Sequence, residues 1–237
     1  QLGGAVTHLG DISTGAGTVT YNGTAQNIFA DIYFNLTAPG TGTVTKTLAG
    51  AVTVNGVLTI GSNVTVAMAT NNLTVVGLAD IDGIVTITTA TLDADGEFDA
   101  ENGTITFTST GNLELGGTVT HLGTLSDDAG TVNYNMAGSQ NIFADTYFNL
   151  TTEGAATKTL AGAVILNGAL LIDAATTVAM GGNDLSVTGG ANIGGILNVV
   201  NNTLTVTGAS VVTGTININA GTVDADGTFN ATGGTID

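Results

Sequence analysis

The sequence predicts an all-β chain: a single parallel β-solenoid (β-helix) with about 20 residues and three short strands per coil, roughly 12 coils over residues 1–237. Three observations carry that expectation. GGAVTHLG at 3–10 returns as GGTVTHLG at 116–123, and TKTLAGAV at 45–52 returns unchanged at 157–164, so one continuous solenoid is written as a long repeat, 1–113 and 114–237. LDADGEF at 92–98 and VDADGTF at 223–229 then lie 131 apart, where the earlier pairs lie 113 and 112 apart. The second copy has therefore gained 19 residues between Ile193 and Asp224, and the pattern stays legible on both sides. In a solenoid each coil touches only its neighbours, so a whole coil is added without disturbing the rest, whereas added strands would upset the pairing order of a β-sandwich.

The third observation is the texture of the shorter units. GTVTHLG, TLSDDAG and TVNYNMAG follow one another, as do AVTVNG, VLTIGSN and VTVAMATN. Each reads as about four residues of alternating character closed by Gly, Asn or Asp, the signature of a short strand and a turn. Three such units make one coil. Helix is excluded by the Gly, Thr and Val content and by the lack of any sustained i, i+3, i+4, i+7 apolar pattern.

Composition supports this and removes several functions. Val, Ile, Leu and Ala dominate a 43% hydrophobic content without Trp, which suits a core of small β-branched side chains. Lys46 and Lys158 are the only cations against 19 acids, a net charge of -17, so nucleic acid and anionic membrane surfaces find nothing to pair with their phosphates. Only 9% of residues are charged, so the surface must be mostly Thr, Asn, Ser and Gly; such a wall suits an extracellular or cell-surface location. The absence of Cys excludes disulfides and thiolate metal sites. No run of 18 apolar residues predicts membrane insertion, and no basic n-region precedes an apolar stretch at Gln1, which reads as a mature N-terminus.

GTVTYNGTAQNI, YFNLT, TKTLAGAVTVNGVLTI and NNLTVVG together resemble the repeat segments of large secreted bacterial β-strand-repeat proteins, the adhesin-like and autotransporter-passenger-like parallel β-helices. The resemblance covers nearly the whole chain. It implies a surface or matrix role, and it transfers no catalytic residue.

Two motifs invite a binding role. QNIFADIYFNLT at 26–37 recurs as QNIFADTYFNLT at 140–151, and its aromatics have two readings. Tyr33 and Tyr147 are ligand candidates if their rings are exposed as stacking platforms for surface glycans. Alternatively the Phe residues fill the core and the Tyr rings sit at a corner with wet hydroxyls, which the alternation at Phe29-Ala30-Asp31 favours. DADGEFDAENG at 93–103 resembles a calcium loop, with Asp93 and Asp95, and Asp224 and Asp226 in the second copy, as candidate weak calcium ligands. Gly96 directly after the second Asp breaks the loop pattern, so a solvated acidic ridge over Ala94, Phe98 and Ala100 is the favoured reading. Thr-rich VTITTAT and TITFTST fall on differing rungs, which argues against a flat ice-binding ladder. The eight N-x-[ST] sequons, Asn35 and Asn149 among them, are explained by Asn as a turn residue.

Catalysis on a β-helix needs a basic residue beside calcium or convergent carboxylates. The acids here are spread along the chain, and His8 and His121 are repeat-equivalent in TVTHLG, so no enzyme and no cofactor are expected. Both termini interrupt the repeat without the polar, atypical coil that caps isolated solenoids. The expected function is an extracellular structural protein, with subunits stacking head to tail into a filament. The alternatives are a stalk segment of a larger adhesin and a carbohydrate-binding β-helix module.

Overall fold

The computed structural model describes residues 1–237 except Asp11, Ser13, Thr14, Thr41 and Asp127. The described residues form 34 short strands and no helix, and hence no helix long and apolar enough to cross a membrane. The chain divides into two compact units, Gln1–Gly130 and Thr131–Asp237. Each is a parallel β-solenoid with three strands per coil.

In the first unit one sheet runs from Thr18–Thr20 through Asn35–Ala38, Leu58–Ile60, Ala79–Ile81 and Phe98–Asp99 to Val119–His121. The second runs from Gln26–Ile28 through Val44–Leu48, Val64–Ala69, Ile84–Ile87 and Thr104–Phe107 to Thr124–Leu125. The third begins Ile32–Tyr33, Val52–Val54, Leu73–Val75 and continues with Thr91–Ala94 and Asn112–Leu115. The second unit repeats the plan, with first strands Thr131–Tyr134, Gln140–Ile142 and Thr146–Tyr147 and last strands Phe229–Asn230, Thr235–Ile236 and Thr222–Ala225. Ladders between these named strands are parallel, as they must be when the chain always winds in one sense.

Alternation decides what each strand buries. Val52–Val54, Leu58–Ile60 and Leu73–Val75 turn two apolar side chains inward and leave a Thr half-exposed between them. In-register pairing then stacks the inward residues into columns, such as Leu36, Leu58, Ala79 and Phe98. Such columns supply each unit with its core, and a full-sized ring fits where its neighbour is as small as Ala79.

The step from one coil to the next can be read from the ladder partners. Val66 lies on Val85, Ala191 on Ser210 and Leu204 on Val223, the same spacing that the insertion in the second copy shows. From Leu185 to Ala225 that spacing holds in all three sheets, so one such step adds one strand to each. The strands make about 11 coils in the two units together, one fewer than expected. The difference arises because the described residues before Thr18 contribute only the Leu2–Tyr21 bridge, and because some coils are longer, as in Leu36 to Leu58.

Glycine fixes the corner between the third sheet and the first. A Cβ built on Gly77 would stand 2.1 Å from the Gly56 carbonyl oxygen, on Gly96 2.1 Å from that of Gly77, and on Gly117 1.9 Å from that of Gly96. Gly189, Gly208 and Gly227 form the same stack in the second unit. Backbone lies on backbone there, and no side chain fits between.

Candidate functional site

The twice-written aromatic motif closes a hydrogen-bond cycle in the core of each unit. The Phe29 N–H donates to Tyr21 Oη (3.3 Å), Tyr33 Oη donates to the Phe29 carbonyl (2.9 Å), and the two hydroxyls lie 2.9 Å apart. Tyr33 gives its one proton to the carbonyl, so the Tyr21 hydroxyl donates to Tyr33. The rings meet edge to face, with centroids 6.4 Å apart. Phe143, Tyr134 and Tyr147 repeat the cycle, with 3.1 Å between hydroxyls.

This reverses the expected placement. Tyr33 and Tyr147 are 0% and 1% exposed, while Phe29, Phe34, Phe143 and Phe148 are half-buried. A tyrosine is tolerated inside because its hydroxyl has partners there, so neither ring offers a face to a glycan and neither hydroxyl is wet. Burial raises the pKa of Tyr33 and Tyr147 far above the usual phenol range, and that of Tyr134 to about 12. The signal available in the sequence was Tyr21 and Tyr134, which stand 12 and 13 residues before Tyr33 and Tyr147.

Both lysines are equally internal. Lys46 lies fully buried beside Gln26, its ladder partner, and its Nζ donates to the carbonyls of Gly23 and Thr24 (3.0 Å) and to Gln26 Oε1 (2.9 Å). Lys158 repeats this with the carbonyls of Met136 (2.5 Å) and Gly138 (3.2 Å) and Gln140 Oε1 (3.3 Å). Desolvation lowers both ammonium pKa values. The chain's two cations thus serve as internal donors to corner carbonyls, and repeat-equivalence was the only hint of it.

The acidic run is divided by a corner. Asp93 lies on Thr91–Ala94 and Asp99 on Phe98–Asp99, two different sheets, with Asp95 and Glu97 exposed at the bend between. The in-and-out alternation survives the corner, with Ala94, Phe98 and Ala100 buried. Asp93 pairs in register with Glu114, and burial with the neighbouring Asp95 raises its pKa. In the second unit Asp224 lies exposed on the strand Thr222–Ala225 and Asp226 is exposed just beyond it. No group of three or more His, Asp or Glu among the described residues is placed to hold a metal ion. His121 Nδ1 lies 3.0 Å from Asp99 Oδ1 at the surface, an exposed pair one coil apart.

The most distinctive surface is the outer edge of the last coil. Phe229 closes VDADGTF as Phe98 closes LDADGEF, and Ile236 stands in GGTID where Ile105 stands in NGTIT. Phe98 and Ile105 are 0% exposed because Val119–His121 and Thr124–Leu125 lie over their strands. Phe229 and Ile236 are 39% and 43% exposed; with Ile218, Val223 and Ala225 they line an apolar recess. Among the described residues no strand lies on the outer side of Phe229–Asn230 or Thr235–Ile236.

Comparison with models of known families, with curated proteins and with solved structures finds no match to this chain.

Proposed function

We propose that the protein is an extracellular structural protein, a β-solenoid that adds coils end on and so builds a filament at a bacterial surface or in a matrix. The observation that carries this reading is the contrast between Phe98 and Ile105, buried under a following coil, and Phe229 and Ile236, the same residues of the same motif left open. Burying a side chain of this size fully is worth about 1.5–3 kcal/mol, so an apolar end coil gains from acquiring a neighbour. A contact between one end and the other does not close on itself, and its repetition gives a filament.

A structural rather than enzymatic role is supported by what the polar core groups do. Both lysines and both tyrosine pairs are occupied in internal hydrogen bonds. The exterior location rests on the sparsely charged, Thr- and Asn-rich surface and on the resemblance to secreted β-strand-repeat proteins. Partner choice follows from the same features: the chain binds itself, and neither nucleic acid nor lipid.

Negative-stain microscopy and sedimentation of the purified chain, across concentration and salt, test the reading. Filaments or end-on oligomers are expected. Short monodisperse particles under every condition would overturn it and leave the stalk of a larger adhesin, with the recess covered by further polypeptide of the same chain.

A further inference from the structure

We infer that the recess at Phe229 and Ile236 is the seat of one particular segment, residues 3–10 of a second copy, docked in the register that residues 116–123 already show inside the chain. This rests on the end-on reading above and specifies its interface. The internal copy supplies the template: GGTVTHLG at 116–123 lies over Phe98, with Val119 paired to Phe98 and His121 to Asp99, and Leu125 then covers Ile105. Residues 3–10 spell GGAVTHLG, and Ile12 stands where Leu125 does.

Three features of residues 3–10 indicate a strand awaiting its ladder. Val119–His121 is a strand where a coil lies beneath it, whereas the same Val-Thr-His at 6–8 forms no strand. Leu122 is buried, yet Leu9 is half-exposed. A Cβ on Gly117 would stand 1.9 Å from the Gly96 oxygen and one on Gly123 2.4 Å from the Ala100 oxygen, whereas on Gly4 or Gly10 it would meet nothing within 4 Å. Gly10 nevertheless already holds the left-handed backbone of Gly123, at φ 71° against 75°. The other side of the segment is fixed: Gln26 Nε2 donates to the carbonyls of Leu2 (2.7 Å) and Gly4 (2.8 Å). One edge is thus docked and the opposite edge is open.

Transferring the register places Val6 on Phe229, His8 on Asn230, Gly4 on Gly227 and Ile12 over Ile236 of the neighbouring copy. The chain has no cysteine, so the register can be read by disulfides. Adjacent parallel strands lie about 4.8 Å apart, within disulfide reach. The double variant His8→Cys, Asn230→Cys should give a ladder of covalent multimers on mild oxidation. The control His8→Cys, Val211→Cys moves the second thiol one coil inward, since Val211 pairs with Asn230, and should give none. Gly4→Val adds a side chain where the free chain has open space, and should leave the unfolding midpoint unchanged while abolishing assembly. Filaments that persist in Gly4→Val, or that cross-link through Val211 and not Asn230, overturn this register while sparing end-on assembly. A chain that never assembles overturns both.

Discussion

Tyr21 and Tyr33 join their hydroxyls at 2.9 Å inside the first unit, and the Tyr33 hydroxyl donates to the Phe29 carbonyl four residues back. The motif written twice is therefore the means by which a chain turning a corner satisfies its own backbone within an apolar interior. Tyr33→Phe leaves the Phe29 carbonyl and the Tyr21 hydroxyl without their partner and should cost about 1–3 kcal/mol; Tyr147→Phe should cost the same in the second unit. Urea unfolding reads both. Midpoints indistinguishable from wild type would mean that the cycle contributes nothing.

The same tyrosines set an alkaline limit. Their folded pKa values are raised, that of Tyr134 to about 12, while the unfolded value is about 10. Both states are neutral below about pH 10, so the stability is fully present there. Above it the unfolded chain ionises first, and stability falls as pH rises towards the folded values. Thermal unfolding from pH 8 upward should show this decline, and the Tyr33→Phe and Tyr147→Phe double variant should show less of it.

Lys46 and Lys158 act with the opposite sign. Their folded pKa values are lowered, so the folded chain releases these protons before the unfolded one does, and stability rises with pH from the folded value up to about 10.4. Lys46→Met removes the donor to the Gly23 and Thr24 carbonyls and should destabilise by about 2 kcal/mol at neutral pH. The rise below pH 10 should be smaller in the variant. An unchanged midpoint and an unchanged pH profile would show that the carbonyls are served as well by water.

How far the sequence discloses this molecule depends on whether a feature repeats as a pattern or as a chemistry. Coils, strands and the length of the coil step were legible because alternation and turn residues recur at every rung, as in AVTVNG and VLTIGSN. Burial of Phe98 and Ala100 under the acidic run was legible for the same reason, although Gly96 turns the run through a corner that a continuous strand would not have. The tyrosines were misplaced because a hydroxyl is costed as a surface group until its partners are known, and Tyr21 and Phe29 are brought to Tyr33 only by the coil. Lys46 gave no sign of burial, since periodicity records only that it alternates with Thr45 and Thr47. The exposure of Phe229 was not legible, because its motif is spelled like that of Phe98 and only the structure shows a strand lying over Phe98.

The corner glycines make a sharper prediction than any apolar residue. Gly96 lies against the Gly77 carbonyl so closely that a Cβ would meet it at 2.1 Å, and backbone cannot rotate away as a side chain can. Gly96→Ala should therefore cost at least about 2 kcal/mol, and Gly208→Ala, with the Gly189 oxygen at 2.4 Å, should behave alike. Denaturant midpoints of the two variants check this. Wild-type midpoints would mean that the corner widens freely, and the stack would lose its role in setting the coil.

If copies stack end on as proposed, their charge sets when assembly begins. At -17 per chain, copies repel one another over about 30 Å at 0.01 M salt and only about 10 Å at 0.1 M, so filament yield should rise with ionic strength. Calcium and magnesium at matched ionic strength should act alike, because the described residues gather no three carboxylates or histidines about one point. Where the first copy has Glu97, Asp99 and Glu101, the second has Thr228, Asn230 and Thr232. Returning two of those acids, with Thr228→Glu and Thr232→Glu at exposed positions, should suppress assembly at low salt and release it at high salt, leaving the unfolding midpoint unaltered. Light scattering follows the onset. Assembly of the double variant at the wild-type salt concentration would show that the loss of acids at this coil is unconnected with stacking.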